Sequence, residues 1–188
     1  MTDRQWTGVI LAGGKSSRMG RDKALMEFDG KRMIDRTVEL LRQHVREILV
    51  IGDPEKHTAE HATTIPDEQP GKGPLGGIIT ALKRARYVRL LVLACDLPAI
   101  NDHLLVTLKK ELDAGFDAVI PTHKGLTEPL AAAYHKHCIE AFEKNLRDDV
   151  LKMSDALAAV RAVHIDVMPG KDGWPMDLFR NLNSPTDL

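Results

Sequence analysis

Residues that could hold a phosphate group cluster near the start of the chain, in the stretch GVILAGGKSSRMGRDKALMEF. The apolar run 9–11 predicts a strand, and the paired glycines Gly13 and Gly14 follow it. Glycine has no Cβ atom and adopts positive φ, so successive N–H groups in such a loop can converge on an anion. Four basic residues come next within nine positions: Lys15, Arg18, Arg21 and Lys23. This density of donors and cations predicts a triphosphate ligand.

The glycine spacing excludes the two most familiar phosphate-loop motifs. A Walker A loop requires G-x-x-x-x-G-K-[ST], whereas the interval from Gly14 to Gly20 is one residue too long and Arg-Asp follows it. The dinucleotide pattern G-x-G-x-x-G fails because Gly13 and Gly14 are adjacent. A basic surface loop with no ligand therefore remains the alternative for this segment taken alone.

Aspartates end two further apolar runs. Asp96 ends RLLVLACD, and Asp67 ends TTIPD. A carboxylate after a mostly apolar run is costly to bury unless it is paired or binds a metal, and α/β enzymes use such carboxylates to hold Mg²⁺ against substrate phosphates. Asp96 is therefore predicted to bind Mg²⁺, with a turn-capping role as the alternative. Asp67 is predicted to accept hydrogen bonds from ribose hydroxyls or base N–H groups.

A second glycine-rich segment, DEQPGKGPLGGI, precedes a helical apolar stripe. Pro74 suits the first helical turn, and the neighbouring glycines permit close approach of a flat ligand such as a nucleobase or sugar: Gly73, Gly76 and Gly77. The alternative is a tight turn in which the glycines serve backbone geometry alone.

The elements that must position these residues alternate along the chain. Seven apolar runs predict strands: TGVILAG, REILVIG, TTIPD, RLLVLACD, DAVIPT, LAAAY and AVHIDV. Helical apolar stripes cover residues 34–41, 78–85 and 104–112, and a further helical stretch from 137 to 160 is interrupted near Asp148. This alternation predicts a three-layer α/β fold with a mostly parallel sheet, which binds ligands at the carboxyl ends of its strands.

Length and composition favour one ordinary globular domain, residues 1–188. The chain is 43% apolar and 28% charged with a formal net charge of −1, so bulk charge points to no nucleic-acid or membrane partner. The cysteines Cys95 and Cys138 match no metal or redox spacing. The polar start lacks an apolar signal segment and no run reaches membrane-span length, so we expect a cytoplasmic protein.

The segment HTAEH, residues 57–61, matches the inverted zinc-protease motif H-x-x-E-H. Three positions alone are fixed and no third ligand is evident. We therefore expect its two histidines to be solvated surface residues.

Five segments resemble, in their order along the chain, the molybdenum cofactor guanylyltransferases, which link GMP to molybdopterin: LAGGKSSRMGRDK, PGKGPLGGI, ACDLP, EPL and NLNSPTDL. The resemblance spans nearly the whole chain, from Leu11 to Leu188. The first motif alone would indicate a wider group that includes sugar-phosphate nucleotidyltransferases and cytidylyltransferases.

The resemblance implies a Rossmann-like nucleotidyltransferase fold of three αβα layers. It also implies GTP and molybdopterin as substrates, Mg²⁺ as a requirement and pyrophosphate as the by-product. The protein partners that it implies are a molybdenum insertase, an accessory GTP-binding protein, and recipient molybdoenzymes or their chaperones.

The family motifs also imply roles for individual residues. Backbone groups would contact guanosine at three positions: Leu11, Ala12 and Gly13. Lys23 would contact the triphosphate, Asp67 the nucleoside and Asp96 the Mg²⁺. Gly76 belongs to the second nucleotide-binding motif.

The resemblance also concerns three further positions, one for the choice of nucleotide and two for the pterin. Guanylyl enzymes of this kind carry LAGG where related cytidylyl enzymes carry LAAG, so Gly14 favours guanine. Asn181 and Asn183 lie in the segment associated with the pterin, and on an extended chain they would face the same way.

Together with the resemblance, these residues predict in-line attack by a phosphate of molybdopterin on the α-phosphorus of GTP. Lys23 and the amides of Gly13 and Gly14 would stabilise charge at the α-phosphate, and Arg18 would take the departing β,γ-phosphates. Three alternatives to this reaction remain open on the sequence. They are a cytidylyltransferase acting on molybdopterin, a sugar-phosphate nucleotidyltransferase, and a nucleotide-binding regulator without catalysis.

Overall fold

The structure is a computed structural model that describes residues 5–13 and 22–182. In these ranges the strands lie in chain order at β1 (Trp6–Leu11), β2 (Glu27–Phe28), β3 (Lys31–Arg32), β4 (Glu47–Ile51), β5 (Thr63–Ile65), β6 (Arg89–Ala94), β7 (Ala118–His123), β8 (Leu126–Thr127), β9 (Ala131–His135) and β10 (Ala162–Asp166). The α-helices are α1 (Met33–Leu41), α2 (Gly73–Arg84), α3 (Asp102–Asp113), α4 (Cys138–Arg147) and α5 (Met153–Ala158). All seven predicted strands are present, and the predicted interruption near Asp148 separates α4 from α5.

One sheet holds all of these strands except the small β2–β3 hairpin. Its order is β10-β7-β9-β6-β1-β4-β5, with β8 paired to β7. β1 pairs in parallel with both β4 and β6, β4 with β5, and β7 with β10. β9 runs antiparallel to both of its neighbours. The prediction of a mostly parallel α/β sheet is confirmed.

The helices cover both faces of this sheet. Successive side chains of a strand point to opposite faces, so neighbouring strand residues pack against different helices. Ile10 of β1 packs on the side of α1 and α3, together with Ile34 and Leu105. Its neighbour Val9 packs on the opposite side, where Ile78 of α2 and Phe142 of α4 lie. The molecule therefore has three layers with a separate apolar core on each face of the sheet.

The register of the parallel strands brings their carboxyl ends to one edge. Leu11 of β1 pairs with Ile51, the last residue of β4, and with Ala94, the last residue of β6. Ile51 in turn pairs with Ile65, which ends β5. The segments that follow these four strands start level with one another, and they carry most of the residues that the sequence singles out.

No helix in the described ranges is long and apolar enough to cross a membrane.

Helix α3 provides a test of the core on its face of the sheet. Asn101 caps this helix by accepting a hydrogen bond from the amide of Leu104 at 3.1 Å, and Leu105 is completely buried. We expect Leu105→Ala to lower the free energy of unfolding by about 2–5 kcal/mol, since it leaves a cavity. Its neighbour Val106 is 55% exposed, so Val106→Ala should change stability by less than about 0.5 kcal/mol. Urea unfolding of both variants measures the contrast, and equal losses would contradict this assignment of the core.

Candidate functional site

Lys23 and Asp96 meet at the carboxyl edge of the sheet. Lys23 begins a short 3-10 turn, Lys23–Leu25, that follows the β1 loop, and Asp96 stands two residues beyond β6. The Nζ atom of Lys23 donates to Oδ2 of Asp96 at 3.0 Å, with the two side chains 24% and 23% exposed. Residues 73 positions apart, both predicted as site residues, thus form one partly buried ion pair.

Such a pair suits a phosphate-binding site. Each charge is balanced while no substrate is bound, which offsets the cost of partial burial. An incoming polyphosphate would offer the ammonium group a stronger partner, and the carboxylate is a hard oxygen ligand for a divalent cation. The arrangement can therefore receive a metal-bound phosphate without leaving either charge uncompensated.

The loop after β1 is held by β4. The amides of Ala12 and Gly13 both donate to the carbonyl of Ile51, at 3.0 and 3.1 Å. Leu11 and Ala12 are each 9% exposed, whereas Gly13 is exposed. The amide of Gly13 is therefore engaged by β4 in this structure and is not presented to an anion as the sequence suggested. The predicted residues Gly14, Arg18 and Asn183 lie outside the described residues.

Asp67 lies at the same edge, after β5, and it organises the second glycine-rich segment. Its Oδ1 accepts from the amide of Gln69 at 2.8 Å and lies 3.0 Å from the hydroxyl of Thr80. The Thr80 hydroxyl also accepts from the amide of Glu68 at 3.0 Å. These contacts fasten the turn after β5 to helix α2.

Gly76 allows this turn to pack closely on α2. A Cβ atom at Gly76 would lie 2.6 Å from the carbonyl oxygen of Gln69, too close for any other residue without backbone movement. Gly73 has a φ of +65°, a conformation that glycine adopts most easily. Of the two interpretations of these glycines, backbone geometry explains Gly73 and Gly76.

The C-terminal segment reaches the same site. The amide of Leu182 donates to the backbone carbonyl of Asp96 at 3.1 Å, and Leu182 is 3% exposed. Asn181 precedes it and is exposed. Asn181 is therefore directly adjacent to a residue that contacts the Asp96 loop.

A further acid, to which the sequence assigned no role, lies near this edge. Glu128 precedes β9, and this segment is joined to β6 by the amide of Ala94, which donates to the carbonyl of Leu130 at 2.7 Å. Burial raises the pKa of the Glu128 carboxyl above its usual value. The motif EPL was a signal of this position, although it carried no indication of chemistry.

The expectation for the histidines of HTAEH is wrong at His57, which is only 4% exposed. The chain turns tightly after β4, with the amide of His57 donating to the carbonyl of Asp53 at 2.8 Å, and this turn folds the ring inward. His61 is exposed, as expected, with 52% of its side chain accessible. Among the described residues no group of three or more His, Cys, Asp or Glu side chains could hold a metal ion.

The thiol next to Asp96 is unsuited to chemistry. Burial raises the pKa of Cys95 to about 12, and the nearby carboxylate of Asp96 contributes in the same direction. Cys95 is 6% exposed. The thiolate needed for nucleophilic attack or metal binding is therefore disfavoured, and the chemistry of this edge is left to oxygen and nitrogen groups.

Comparisons with known proteins identify the family of this chain. The sequence model of the MobA-like NTP transferase domain matches residues 8–163. The chain belongs to this family. The matched region includes Lys23, Asp67 and Asp96, and it ends before the C-terminal segment that contacts Asp96.

Individual members of the family are similar over almost their full length. A protein of Pelotomaculum thermopropionicum named as a probable molybdenum cofactor guanylyltransferase is 37% identical over 186 residues, covering 98% of this chain and 90% of its own. The crystal structure of molybdopterin-guanine dinucleotide biosynthesis protein A from Archaeoglobus fulgidus has a TM-score of 0.78 at 26% identity, covering 96% and 94% of the two chains.

The fold extends beyond the family. A 2-C-methyl-D-erythritol 4-phosphate cytidylyltransferase from Thermus thermophilus has a TM-score of 0.68 at 15% identity, covering 95% of this chain and 93% of its own. At that identity the likeness concerns the fold alone. The predicted nucleotidyltransferase fold is confirmed.

The burial of both cysteines in this MobA-like domain leads to a prediction. Burial also raises the pKa of Cys138 to about 12, so at pH 8 both thiols should be almost entirely protonated. We expect a disulfide reagent to modify the native protein at least about 100-fold more slowly than the unfolded protein, because both access and thiolate are lacking. Absorbance at pH 8 with and without guanidinium follows the reaction. Rapid release of one equivalent of the reagent's coloured thiol product by the native protein would contradict the burial and protonation of the two cysteine thiols.

Proposed function

We propose that this protein transfers GMP from GTP to molybdopterin, forming the molybdopterin guanine dinucleotide cofactor and releasing pyrophosphate. The observation that carries the proposal is the Lys23–Asp96 ion pair at the carboxyl edge of the sheet, beside the β1 loop. Family membership and the guanylyltransferase relatives support the same reaction.

The reaction places simple demands on the protein. An oxygen of the terminal phosphate of molybdopterin attacks the α-phosphorus of GTP, and the bond from that phosphorus to the α,β-bridging oxygen breaks. The bridging oxygen leaves with pyrophosphate. A phosphate nucleophile is already ionised near neutral pH, so no general base is needed. Positioning and neutralisation of charge supply the catalysis.

Lys23 is the group that we assign to the triphosphate. When GTP arrives, its ammonium would exchange part of its contact with Asp96 for a phosphate oxygen, so that the positive charge stabilises negative charge that develops at the α-phosphate. Arg18, outside the described residues, is proposed to take the departing phosphates. In the sequence both cations follow β1.

Asp96 is the residue that would hold Mg²⁺. Its partly exposed carboxylate fits the ion, because Mg²⁺ in nucleotide-binding enzymes is commonly held by one or two carboxylates, with phosphate oxygens and water completing the octahedron. When bound, Mg²⁺ would act as a Lewis acid on the phosphate oxygens.

The remaining assignments divide between the two substrates. We propose that guanosine lies against the backbone of Leu11, Ala12 and Gly13 and near Asp67. Gly76 would serve this site by letting the turn after β5 pack closely on α2. The Gly13 amide donates its hydrogen bond to the carbonyl of Ile51. We therefore assign Gly13 to a contact with guanosine and not to the α-phosphate. Gly14 favours guanine.

For the second substrate, we propose that Asn181 and Asn183 bind the pterin. The contact of Leu182 with Asp96 supports this placement, since it joins the C-terminal segment to the metal-binding loop. The reaction also places the protein between molybdenum insertion and the molybdoenzymes or chaperones that receive the cofactor, and we propose that these steps occur in the cytoplasm.

A panel of nucleotides tests the function directly. Purified protein with Mg²⁺ and molybdopterin is expected to release pyrophosphate with GTP, and to release far less with CTP, ATP or UTP. A preference for CTP would indicate a cytidylyltransferase. Turnover of a sugar phosphate in place of molybdopterin would indicate a sugar-phosphate enzyme, and GTP binding without pyrophosphate release would indicate a regulator.

Replacement of Asp96 tests the metal assignment. We expect Asp96→Asn to keep the fold but to lower kcat at least about 100-fold and to raise the Mg²⁺ concentration needed for half-maximal rate, because an amide is a poor substitute for a charged oxygen ligand. The matched control is Asp113→Asn, which removes a carboxylate 3.1 Å from Arg89 at the opposite end of β6. Turnover at the wild-type rate by Asp96→Asn would overturn the metal assignment.

Replacement of Lys23 tests the assignment to the triphosphate. We expect Lys23→Ala to lower kcat with GTP by about 100-fold or more, since charge on the phosphate is then uncompensated. Steady-state kinetics with each substrate varied in turn gives the result. A loss confined to the KM for molybdopterin would move Lys23 to the acceptor side.

A further inference from the structure

His57 bridges the loop after β4 and the turn that carries Lys23. Its Nδ1 accepts from the backbone amide of Asp53 at 2.9 Å, and its Nε2 lies 2.6 Å from Oδ2 of Asp22. The backbone N–H of Asp53 can only donate, so Nδ1 must provide its lone pair and the ring proton resides on Nε2. Nε2–H therefore donates to the Asp22 carboxylate, and the two contacts fix both the tautomer and the orientation of the ring.

The β4 side of this bridge is fixed in place. The carbonyl of His57 accepts from the Thr64 hydroxyl at 2.6 Å, which ties the residue to β5. Gly52 makes room for the ring, since a Cβ atom there would lie 2.3 Å from Nδ1. His57 is thus a buried, doubly anchored donor at the carboxyl edge of the sheet.

Asp22 is the other half of the bridge, and it uses both carboxylate oxygens. Oδ1 accepts from the amide of Ala24 at 3.1 Å and thereby caps the turn Lys23–Leu25, while Oδ2 accepts from His57. Ala24, the middle residue of this turn, is completely buried. The next residue after Asp22 is Lys23, whose ammonium contacts Asp96.

We propose that His57 and Asp22 are positioning residues for Lys23. The hydrogen-bonded path from β4 through His57 and Asp22 fixes the start of the turn, so Lys23 is delivered to Asp96 and to the phosphate with a defined backbone position. This role rests on the proposed function for its kinetic consequences, but the ordering of the turn does not depend on it.

The two acceptor oxygens of Asp22 allow the proposal to be tested with a substitution of the same size. A carboxylate offers two acceptors, and both are in use. Asparagine offers a single acceptor, so in either orientation of its amide one N–H group would face another N–H group, at His57 or at Ala24. Asp22→Asn should therefore loosen the turn although it preserves the size of the side chain.

Hydrogen exchange tests the ordering without any assay of activity. We expect His57→Ala and Asp22→Asn to speed amide exchange across residues 22–26 by about tenfold or more, because the cap and its anchor are lost. The matched control is His44→Ala, which removes an equally short 2.6 Å contact between His44 and Asp102 on the α1 and α3 side. Unchanged exchange at 22–26 in His57→Ala would overturn the proposal.

A double-mutant cycle tests the consequence for catalysis. In the wild-type background, His57→Ala is expected to lower kcat by about 10- to 100-fold with little change in KM, because the ammonium is misplaced in the transition state. In the Lys23→Ala background the same substitution should cause no further loss, since there is no ammonium left to position. Losses that multiply would show a general structural role and contradict the proposal.

The two experiments separate the possible failures. If the wild-type protein releases no pyrophosphate from GTP and molybdopterin, the proposed function fails, and hydrogen exchange still decides whether His57 orders the turn. If the wild-type protein is active but exchange at 22–26 is insensitive to His57, the positioning role fails alone.

Discussion

The site depends on one ion pair, and the ion pair depends on the register of two strands. Lys23 follows β1 and Asp96 follows β6, and these neighbouring parallel strands end level with each other at Leu11 and Ala94. A shift of the register by one residue would turn each apolar side chain to the other face of the sheet. The two apolar cores therefore fix the position at which the charges meet, and each partly buried charge offsets part of the cost of burying the other.

The direction of the chain after each strand explains why a ligand can reach this point. From β1 the chain continues to β4 on one side, and from β6 it continues to β7 on the other. In open α/β sheets ligands bind where neighbouring connections diverge in this way. β1, β4 and β5, against which we propose that guanosine lies, are then on one side of Asp96, and β9 with the segment around Glu128 is on the other. This division matches a reaction with two substrates that meet at a phosphate.

Much of the fold was predictable because long apolar runs leave little choice of element. All seven strands and the break between α4 and α5 followed from periodicity. The reversed direction of β9 had a signal that periodicity ignores. Only a short segment separates β7 from β9, too short for a crossover, and Gly125 within it suits a tight turn; in the structure Lys124 and Gly125 both have positive φ and turn the chain from β7 into β8. At the site, the sequence indicated Lys23 and Asp96 separately, since each residue type suits phosphate or metal. Their direct contact required the register, which the sequence does not display.

His57 could not be predicted because its environment is created by a loop. A polar segment between two strands normally lies in water, and nothing in HTAEH distinguishes its two histidines. One is buried because Gly52 leaves space for a ring and because Asp22, 35 positions earlier, accepts a hydrogen bond from its Nε2–H group. The same holds for Gly13, whose amide was expected to meet an anion and instead joins β1 to β4. In both cases the backbone at the carboxyl edge first satisfies its own hydrogen bonds. Where backbone groups are held in this way, side chains such as those of Lys23 and Asp96 are the groups left to meet charged parts of a substrate, and the hydrogen bonds of Asp22 hold the turn that carries Lys23.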